Sequence, residues 1–256
     1  MRIPLPAAFL NTPIAHRALH NRSAGRVENS RAAIRAAIDA GYGIEMDVQL
    51  SSDGQAMVFH DETLDRLTAE TGALAHRSTA ELCQIRLSDS QETIPTLPEI
   101  LALVAGRAPL LIEIKDQQGA LGPTDGRLEM ATADAINGYS GSVALMSFNP
   151  HSVERMVHLA PTRPRGLTTS AFDPEKWAPL PAARCTQLRD IPDMDRCEAS
   201  FISHEASDLS RARVATLKAA GAAILCWTIT SPYAERDARK VADNITFEGY
   251  LADRHA

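Results

Sequence analysis

The sequence contains no long hydrophobic run and no block of like charge. No apolar stretch reaches membrane-spanning length, and residues 1–10 combine one basic residue and two prolines in an apolar run too short for a secretory signal. The formal net charge of -6 comes from interspersed acids and bases, which argues against a nucleic-acid-binding tail and against attraction to anionic membranes. We therefore expect a cytoplasmic protein with no nucleic-acid partner and no stable membrane association.

Cysteine is scarce, and its spacing is irregular. The four cysteines, Cys83, Cys185, Cys197 and Cys226, form no Cys-x-x-Cys pair. This scatter argues against a disulfide-stapled fold and against a structural zinc site. It favours reduced thiols in a cytosolic protein.

Short β-branched runs alternate with amphipathic segments of helical period along the 256 residues. The predicted strands are 13–16, 43–48, 56–60, 109–115, 142–147, 164–168, 199–203, 223–229 and 248–251. The predicted helices are 29–40, 97–105, 125–137, 150–158, 208–220 and 232–242. About eight strand–helix units predict an α/β fold in which a parallel sheet closes into a TIM-type (β/α)8 barrel, as one domain over residues 1–256. Residues 61–93 are too long for a strand–helix loop and predict a small insertion after the third strand, whereas residues 172–198 show no clear period.

Carboxylates and a lysine recur near the carboxyl ends of predicted strands. Glu45 and Asp47 lie two residues apart and therefore share one strand face, and Glu113 and Lys115 repeat this arrangement. Two carboxylates about 5 Å apart repel by roughly 3 kcal/mol at an effective dielectric constant near 20, so the cluster requires protons, cationic partners or a metal ion. Because all three acids offer oxygen ligands, we predict a Mg²⁺ or Ca²⁺ site at Glu45, Asp47 and Glu113.

Two histidines and an arginine fall at the same predicted strand ends. His16 and Arg17 close the first strand, and His60 closes the third. Histidine titrates near neutrality, which suits the acid–base steps that cleave a phosphodiester, and the planar guanidinium of Arg17 matches phosphate oxygens. We assign His16 and His60 to catalysis. The residues assigned to substrate and phosphate binding are Arg17, Lys115, Trp227 and Phe148.

Structural roles compete with these assignments. The strand carboxylates can simply form salt bridges with Lys115 and Arg17, and Trp227 and Phe148 can be core residues. For a single acid–base pair the salt bridge is the better interpretation. For three acids, two basic residues and two histidines at strand ends, a functional site is favoured.

Other polar residues are less specific. Glu28 is either an acid in the first helical turn, favoured by the helix dipole, or a residue that supports the site. His20 and His204 each follow a strand end and can reach the mouth of the barrel. The histidines assigned to the surface or to helix caps are His76, His151, His158 and His255.

The order and spacing of the motifs resemble the glycerophosphodiester phosphodiesterase family. The matching segments are Ile14-Ala-His16-Arg17, Glu28-Asn29-Ser30, Gly43-Ile-Glu45-Met-Asp47, Val58-Phe-His60-Asp61, Leu64-Asp-Arg66-Leu-Thr68, Ile94-Pro-Thr-Leu97 and Ile112-Glu113-Ile-Lys115, with weaker matches at Ser147-Phe148 and Trp227-Thr228. The resemblance implies a TIM-type barrel with a small insertion, a divalent metal at the three acids and acid–base chemistry at the two histidines. It also implies hydrolysis of small-molecule glycerophosphodiesters to sn-glycerol 3-phosphate and an alcohol.

Three positions depart from the family pattern. Ala18 replaces the glycine that usually follows His-Arg, which costs little if its φ is negative, and Val27 replaces a proline. Residues 251–254 stand where a Thr-Asp-x-Pro pattern is usual, so the last loop and the substrate fit can differ. The alternatives on the same barrel are a lysophospholipase D or sphingomyelinase D-type lipid phosphodiesterase, disfavoured by the polar insertion, and a non-catalytic phosphate-ligand sensor, disfavoured by the paired histidines. The head group, the metal, the oligomeric state and the roles of the two histidines stay open.

Overall fold

Nine strands form one sheet in the computed structural model, which describes residues 2–254. The strands are β1 (Ile14–Ala15), β2 (Gly43–Leu50), β3 (Ala56–Val58), β4 (Leu110–Ile114), β5 (Val143–Ser147), β6 (Arg165–Thr169), β7 (Phe201–Glu205), β8 (Ala223–Ile229) and β9 (Asn244–Phe247). All except β3 pair in parallel, and β1 pairs with both β2 and β9, which closes eight strands into a barrel. The predicted TIM-type (β/α)8 barrel is confirmed.

Helices lie between the strands. The α-helices of residues 2–254 are α1 (Ala7–Asn11), α2 (Arg31–Ala40), α3 (Thr79–Leu82), α4 (Leu97–Val104), α5 (Arg127–Ile136), α6 (Pro150–Leu159), α7 (Ala182–Arg189), α8 (Ala212–Ala219) and α9 (Pro232–Ala238). The predicted helix 208–220 is shorter than expected, because a separate 3₁₀ turn occupies Ala206–Asp208. Residues 172–198, left open from the sequence, contain α7. Within the described part of the chain, no helix has the length and apolar character needed to span a membrane.

Side chains alternate along each barrel strand between the outer core and the interior. On β2, Ile44 and Met46 belong to the large core between sheet and helices, so Glu45 and Asp47 point into the barrel. A separate apolar cluster plugs the interior below them. Its buried members are Leu5, Phe9, Ile14, Leu111, Ala144, Met146, Phe201 and Leu225. The acidic interior side chains therefore lie toward the carboxyl end, where TIM barrels carry their active sites.

Two strands differ from the prediction. β3 runs antiparallel to β2, with Val48 paired to Val58, so it forms a hairpin outside the closed barrel and is not one of its parallel strands. The predicted last strand at 248–251 is wrong, because β9 occupies Asn244–Phe247 and pairs with β1 and β8. Leu251, which made the later segment look strand-like, has 71% of its surface exposed.

Residues 61–93 pack around their own apolar cluster. The buried members of this cluster are Val27, Met57, Phe59, Leu64, Leu67, Leu74, Leu82, Leu87 and Ile94. α3 starts with a capping box, in which the side chains of Ser78 and Glu81 each accept the other's backbone N–H. The cluster includes Phe59, which directly precedes His60, and therefore anchors that histidine at the barrel mouth.

Candidate active site

Three carboxylates meet inside the barrel at its carboxyl end. Asp47 on β2 is the register partner of Glu113 on β4, and Glu45 lies two residues before Asp47. All three side chains are buried, and each offers an oxygen within 4.8 Å of the other two. Burial, followed by the charges of Asp47 and Glu113, raises the pKa of Glu45 well above its usual value. The cluster therefore carries negative charge that the fold alone balances incompletely.

Two basic side chains approach these carboxylates. Lys115 Nζ lies 2.8 Å from Asp47 Oδ1 and also contacts a carboxylate oxygen of Glu113. The Nε of Arg17 lies 3.7 Å from Asp47 Oδ2. Burial raises the pKa of Asp47, but nearby positive charge, chiefly that of Lys115, outweighs burial and holds the pKa below its usual range. Part of the salt-bridge interpretation therefore holds, with Asp47 and Glu113 as partners of one lysine.

Each candidate catalytic histidine is held by a carboxylate. His16, directly after β1, places Nδ1 at 2.6 Å from Glu248 Oε2. His60, two residues after β3, places Nδ1 at 2.6 Å from Asp61 Oδ1. A carboxylate at Nδ1 fixes the orientation of the ring and leaves Nε2 for the cavity. Glu248 is not among the predicted site residues, because the last strand was placed too late in the sequence.

An ion-pair network connects the insertion to the first loop, residues 16–30 between β1 and α2. Arg66 donates to both oxygens of Glu28 at 2.8 Å and to both oxygens of Asp61 at 2.6 and 2.8 Å. Glu28 also accepts from Arg17 Nη1 at 2.8 Å. Because α2 begins at Arg31, Glu28 precedes the helix and is not the first-turn acid that the sequence also permitted. Arg66 thereby fixes the carboxylates that position Arg17 and His60.

The first loop has an unusual backbone. Arg17, Ala18 and Asn29 have φ values of 50°, 65° and 59°, so Ala18 lacks the negative φ at which alanine in place of glycine would cost little. The left-handed conformation costs a non-glycine residue roughly 1–2 kcal/mol. Hydrogen bonds hold it: Glu45 accepts the N–H of Arg17 at 2.8 Å through Oε2 and the N–H of Ala18 at 3.0 Å through its carbonyl. Asn29 Nδ2 donates to Asp47 Oδ2 at 2.9 Å, which ties the loop to the carboxylates.

The candidate site lies in an inner cavity of about 130 Å³ that adjoins an outer groove of about 610 Å³. The residues that line both are His60, Glu113, Lys115 and Phe148. His16 lines only the inner cavity. The Phe148 ring meets Trp227 edge-on at 5.5 Å and Trp177 at 5.0 Å between centroids. An aromatic wall thus lies at the junction of the two cavities, and Trp177 belongs to the segment 172–198, for which no structure was predicted.

The remaining histidines contribute less. His20 Nε2 lies 3.4 Å from Glu248 Oε2 at the rim. His204 is fully buried between Thr169 and Asp208 and does not reach the inner cavity. Among the histidines expected at the surface, His158 is exposed in α6, whereas His255 lies outside the described residues.

Residues 16–254 match the model of the glycerophosphoryl diester phosphodiesterase family. The chain belongs to this family. A glycerophosphodiester phosphodiesterase of Caldanaerobacter subterraneus subsp. tengcongensis is 34% identical over 174 residues, which are 64% of this chain and 69% of the relative. Glycerophosphodiester phosphodiesterase 1 of Homo sapiens is 38% identical over 98 residues, or 35% of this chain and 29% of the human protein. The family membership predicted from the motifs is confirmed, and it makes the chain a phosphoric diester hydrolase.

Solved structures of the glycerophosphodiester phosphodiesterase family share the fold. A phosphodiesterase of Oleispira antarctica, in complex with the product sn-glycerol-3-phosphate, has a TM-score of 0.75 at 26% identity and covers 94% of both chains. The glycerophosphodiester phosphodiesterase of Thermotoga maritima has a TM-score of 0.69 at 21% identity, covering 92% of this chain and 94% of its own. The barrel of this family member is thus shared along nearly its whole length.

The two carboxylates that hold the histidines of this glycerophosphodiester phosphodiesterase provide a direct test. Replacing Asp61 or Glu248 with its amide should lower kcat/KM by roughly 10- to 100-fold, because a hydrogen bond to a charged group is worth about 1.5–3 kcal/mol. The measurement is steady-state hydrolysis of glycerophosphocholine, with Asp125→Asn on an exposed loop as the control. Wild-type rates for both Asp61→Asn and Glu248→Gln would contradict the positioning role.

Proposed function

We propose that this enzyme hydrolyses glycerophosphodiesters to sn-glycerol 3-phosphate and an alcohol with the aid of a divalent cation. One observation carries the proposal: a single cavity contains three clustered carboxylates, an arginine and two histidines that are each held by their own carboxylate. The sn-glycerol-3-phosphate bound to the related Oleispira antarctica phosphodiesterase supports the same substrate class for this chain.

The proposed metal ligands are Glu45, Asp47 and Glu113. Their oxygens are hard donors and converge within 4.8 Å. Burial, followed by the like charges of Asp47 and Glu113, raises the pKa of Glu45, and a cation would relieve this repulsion. These features fit Mg²⁺ or Ca²⁺, which we expect as the cofactor. When bound, such a cation stabilises negative charge on phosphate oxygens during cleavage.

Arg17 and Lys115 are proposed to hold the phosphate. Arg17 commits Nη1 to Glu28, but its Nε is buried and has no hydrogen-bond partner within residues 2–254. A buried guanidinium donor of this kind suits a phosphate oxygen. Lys115 lines the cavity beside it, and Phe148 and Trp227 are proposed to contact the rest of the substrate.

The two cavities suggest how the acid–base roles divide. The leaving alcohol is the variable part of a glycerophosphodiester, and the larger outer groove suits it. His60 lines both cavities and is therefore proposed as the acid that protonates the leaving oxygen. His16 lines only the inner cavity of the two and is proposed as the base that takes a proton from the attacking oxygen, either that of water or that of a glycerol hydroxyl.

The insertion, residues 61–93, is proposed to be a small subdomain within the single domain 1–256. Its proposed role is to hold His60 in place through Arg66. Of the exposed large hydrophobic side chains in the described chain, none lies in 61–93, so the insertion offers no surface for a bilayer and does not favour the lipid-cleaving alternative. The free cysteines support a cytoplasmic location, which we retain as part of the proposal.

The proposal predicts metal-dependent turnover. Release of sn-glycerol 3-phosphate from glycerophosphocholine should stop in excess EDTA and return when Mg²⁺, Ca²⁺ or Mn²⁺ is added in turn, because loss of several kcal/mol of charge stabilisation lowers the rate by orders of magnitude. A panel of glycerophosphodiesters assayed with each ion identifies the preferred head group and metal. Full activity in excess chelator would remove the metal from the mechanism.

A further inference from the structure

Three hydroxyl groups line the inner cavity on strands other than the two that carry the carboxylates. We define the hydroxyl cluster as Thr168 on β6, Ser203 on β7 and Thr246 on β9. Each side chain is at least 98% buried, and each Oγ lacks a hydrogen-bond partner among the described residues. Buried hydroxyls are nearly always hydrogen-bonded within a protein, so three unpartnered ones in one cavity point to a ligand.

Strand alternation aims these hydroxyls into the cavity. Thr168 is the register partner of Ser203 on the neighbouring strand, whereas Leu167 and Ile202, one residue earlier, belong to the outer core. Thr246 faces the same cavity from β9, beside β1. The three hydroxyls thus face the same inner cavity, and they lie on strands that carry none of the proposed metal ligands.

The chemistry of the hydroxyl cluster differs from that of the cavity wall that carries the three carboxylates. Charged groups gather around β2 and β4, where Arg17 and Lys115 are available for the phosphate. The hydroxyl cluster is neutral, and each member both donates and accepts a hydrogen bond. Such a surface matches a neutral, hydroxylated group of a ligand rather than a second anion.

We propose that the hydroxyl cluster binds the hydroxyls of the glycerol moiety and thereby selects polyol phosphodiesters over diesters of simple alcohols. This inference rests on the proposed function and adds the residues that recognise the constant half of the substrate. The inner cavity holds that half, while the outer groove accepts the variable alcohol. Sites built to hydrogen-bond a substrate hydroxyl strongly reject the analogue that lacks it, because their buried polar groups are then left unpaired.

The test compares two ligands that differ only in hydroxyl groups, sn-glycerol 3-phosphate and propyl phosphate. Dissociation constants are measured by calorimetry on the metal-loaded enzyme, and the ratio of the two constants reports recognition of glycerol. Thr168→Val and Ser203→Ala should each lower the preference for sn-glycerol 3-phosphate roughly tenfold, and Thr168→Ser should restore it. The matched control is Ser200→Ala, which removes another unpartnered hydroxyl near the opposite end of β7 and should keep the wild-type ratio.

The outcomes separate this inference from the proposed function. A wild-type ratio near one, or a ratio unchanged in both Thr168→Val and Ser203→Ala, would overturn the glycerol subsite. Equal weakening of both ligands also leaves the ratio unchanged and assigns the hydroxyls to the phosphate or to packing. Failure to release sn-glycerol 3-phosphate from any glycerophosphodiester would refute the proposed function, while the binding ratio still decides the subsite. Melting temperatures at or above wild type are expected, since each variant removes a hydroxyl that has no protein partner.

Discussion

Replacing Glu45 with glutamine should lower kcat/KM for glycerophosphocholine by about 10²- to 10⁴-fold without destabilising the metal-free protein. The loss follows from removing one of the three carboxylates that are proposed to bind the metal ion. Stability is retained because the glutamine side-chain oxygen can still accept the N–H of Arg17, which Glu45 Oε2 accepts at 2.8 Å. Burial and the charges of Asp47 and Glu113 disfavour the ionised form of Glu45, so a neutral amide also relieves repulsion.

The measurement is thermal unfolding with and without Mg²⁺ or Ca²⁺. A ligand that binds only the folded state raises the melting temperature, so the wild type should respond to the ion and Glu45→Gln should not. Glu129→Gln is the matched control, because Glu129 is equally buried but lies on α5 and pairs with Thr124. If Glu45→Gln keeps both the metal-induced rise and the activity, the carboxylate trio is not the metal site.

The cluster of three carboxylates is the part of the site that the sequence predicts best. The alternation of side chains along a strand is enough to place Glu45 and Asp47 on one face of β2. The apolar run around Glu113 predicts a second strand of the same kind. Parallel pairing in a barrel then forces these faces together, as the register of Asp47 with Glu113 illustrates. Only the closure of the sheet into a barrel had to be inferred, and the repeated strand–helix units predicted that closure.

The supporting residues were harder to predict because they depend on tertiary contacts. Glu248 directly follows a strand of four residues, but the predicted strand 248–251 started with Glu248, so this acid was placed inside a strand rather than after its carboxyl end. Arg66 and Glu28 pair across 38 positions of the sequence. Thr168 and Ser203 look like ordinary strand residues until the register makes them neighbours in a cavity. Each role is decided by geometry between distant segments, which no local pattern encodes.

The direction of β3 shows how a correct residue was placed on an incorrect strand. His60 was expected to close a barrel strand, yet it reaches the mouth because a hairpin turns the chain back toward the site. Residues 51–55 connect the two strands and include Gly54 with a φ of 87°. Such a glycine is a turn signal that indicates antiparallel pairing. The histidine is therefore presented by the insertion side of the barrel, where it faces both cavities.

Removing either of the two proposed catalytic histidines should reveal which one protonates the leaving group. His60→Gln and His16→Gln should each lower kcat/KM for glycerophosphocholine by about 10²- to 10⁴-fold, the usual contribution of general acid–base catalysis. In a glycerophosphodiester of p-nitrophenol, the leaving group departs as a stable phenolate, so its departure needs no general acid. Because His60 lines the outer groove, where the alcohol is proposed to depart, His60→Gln should keep most of the wild-type activity on this substrate, and His16→Gln should not.

The comparison distinguishes a proton donor from a residue that only shapes the cavity. A purely structural role for His60 would give equal losses on the choline and p-nitrophenol substrates, because packing defects do not depend on the acidity of the leaving group. Recovery by His16→Gln instead would reverse the two roles and place the leaving alcohol in the inner cavity. The control His158→Gln changes an exposed histidine of α6 and should act on both substrates like the wild type. The same experiment therefore tests the orientation of the substrate across the two cavities, since the acid has to stand beside the departing oxygen.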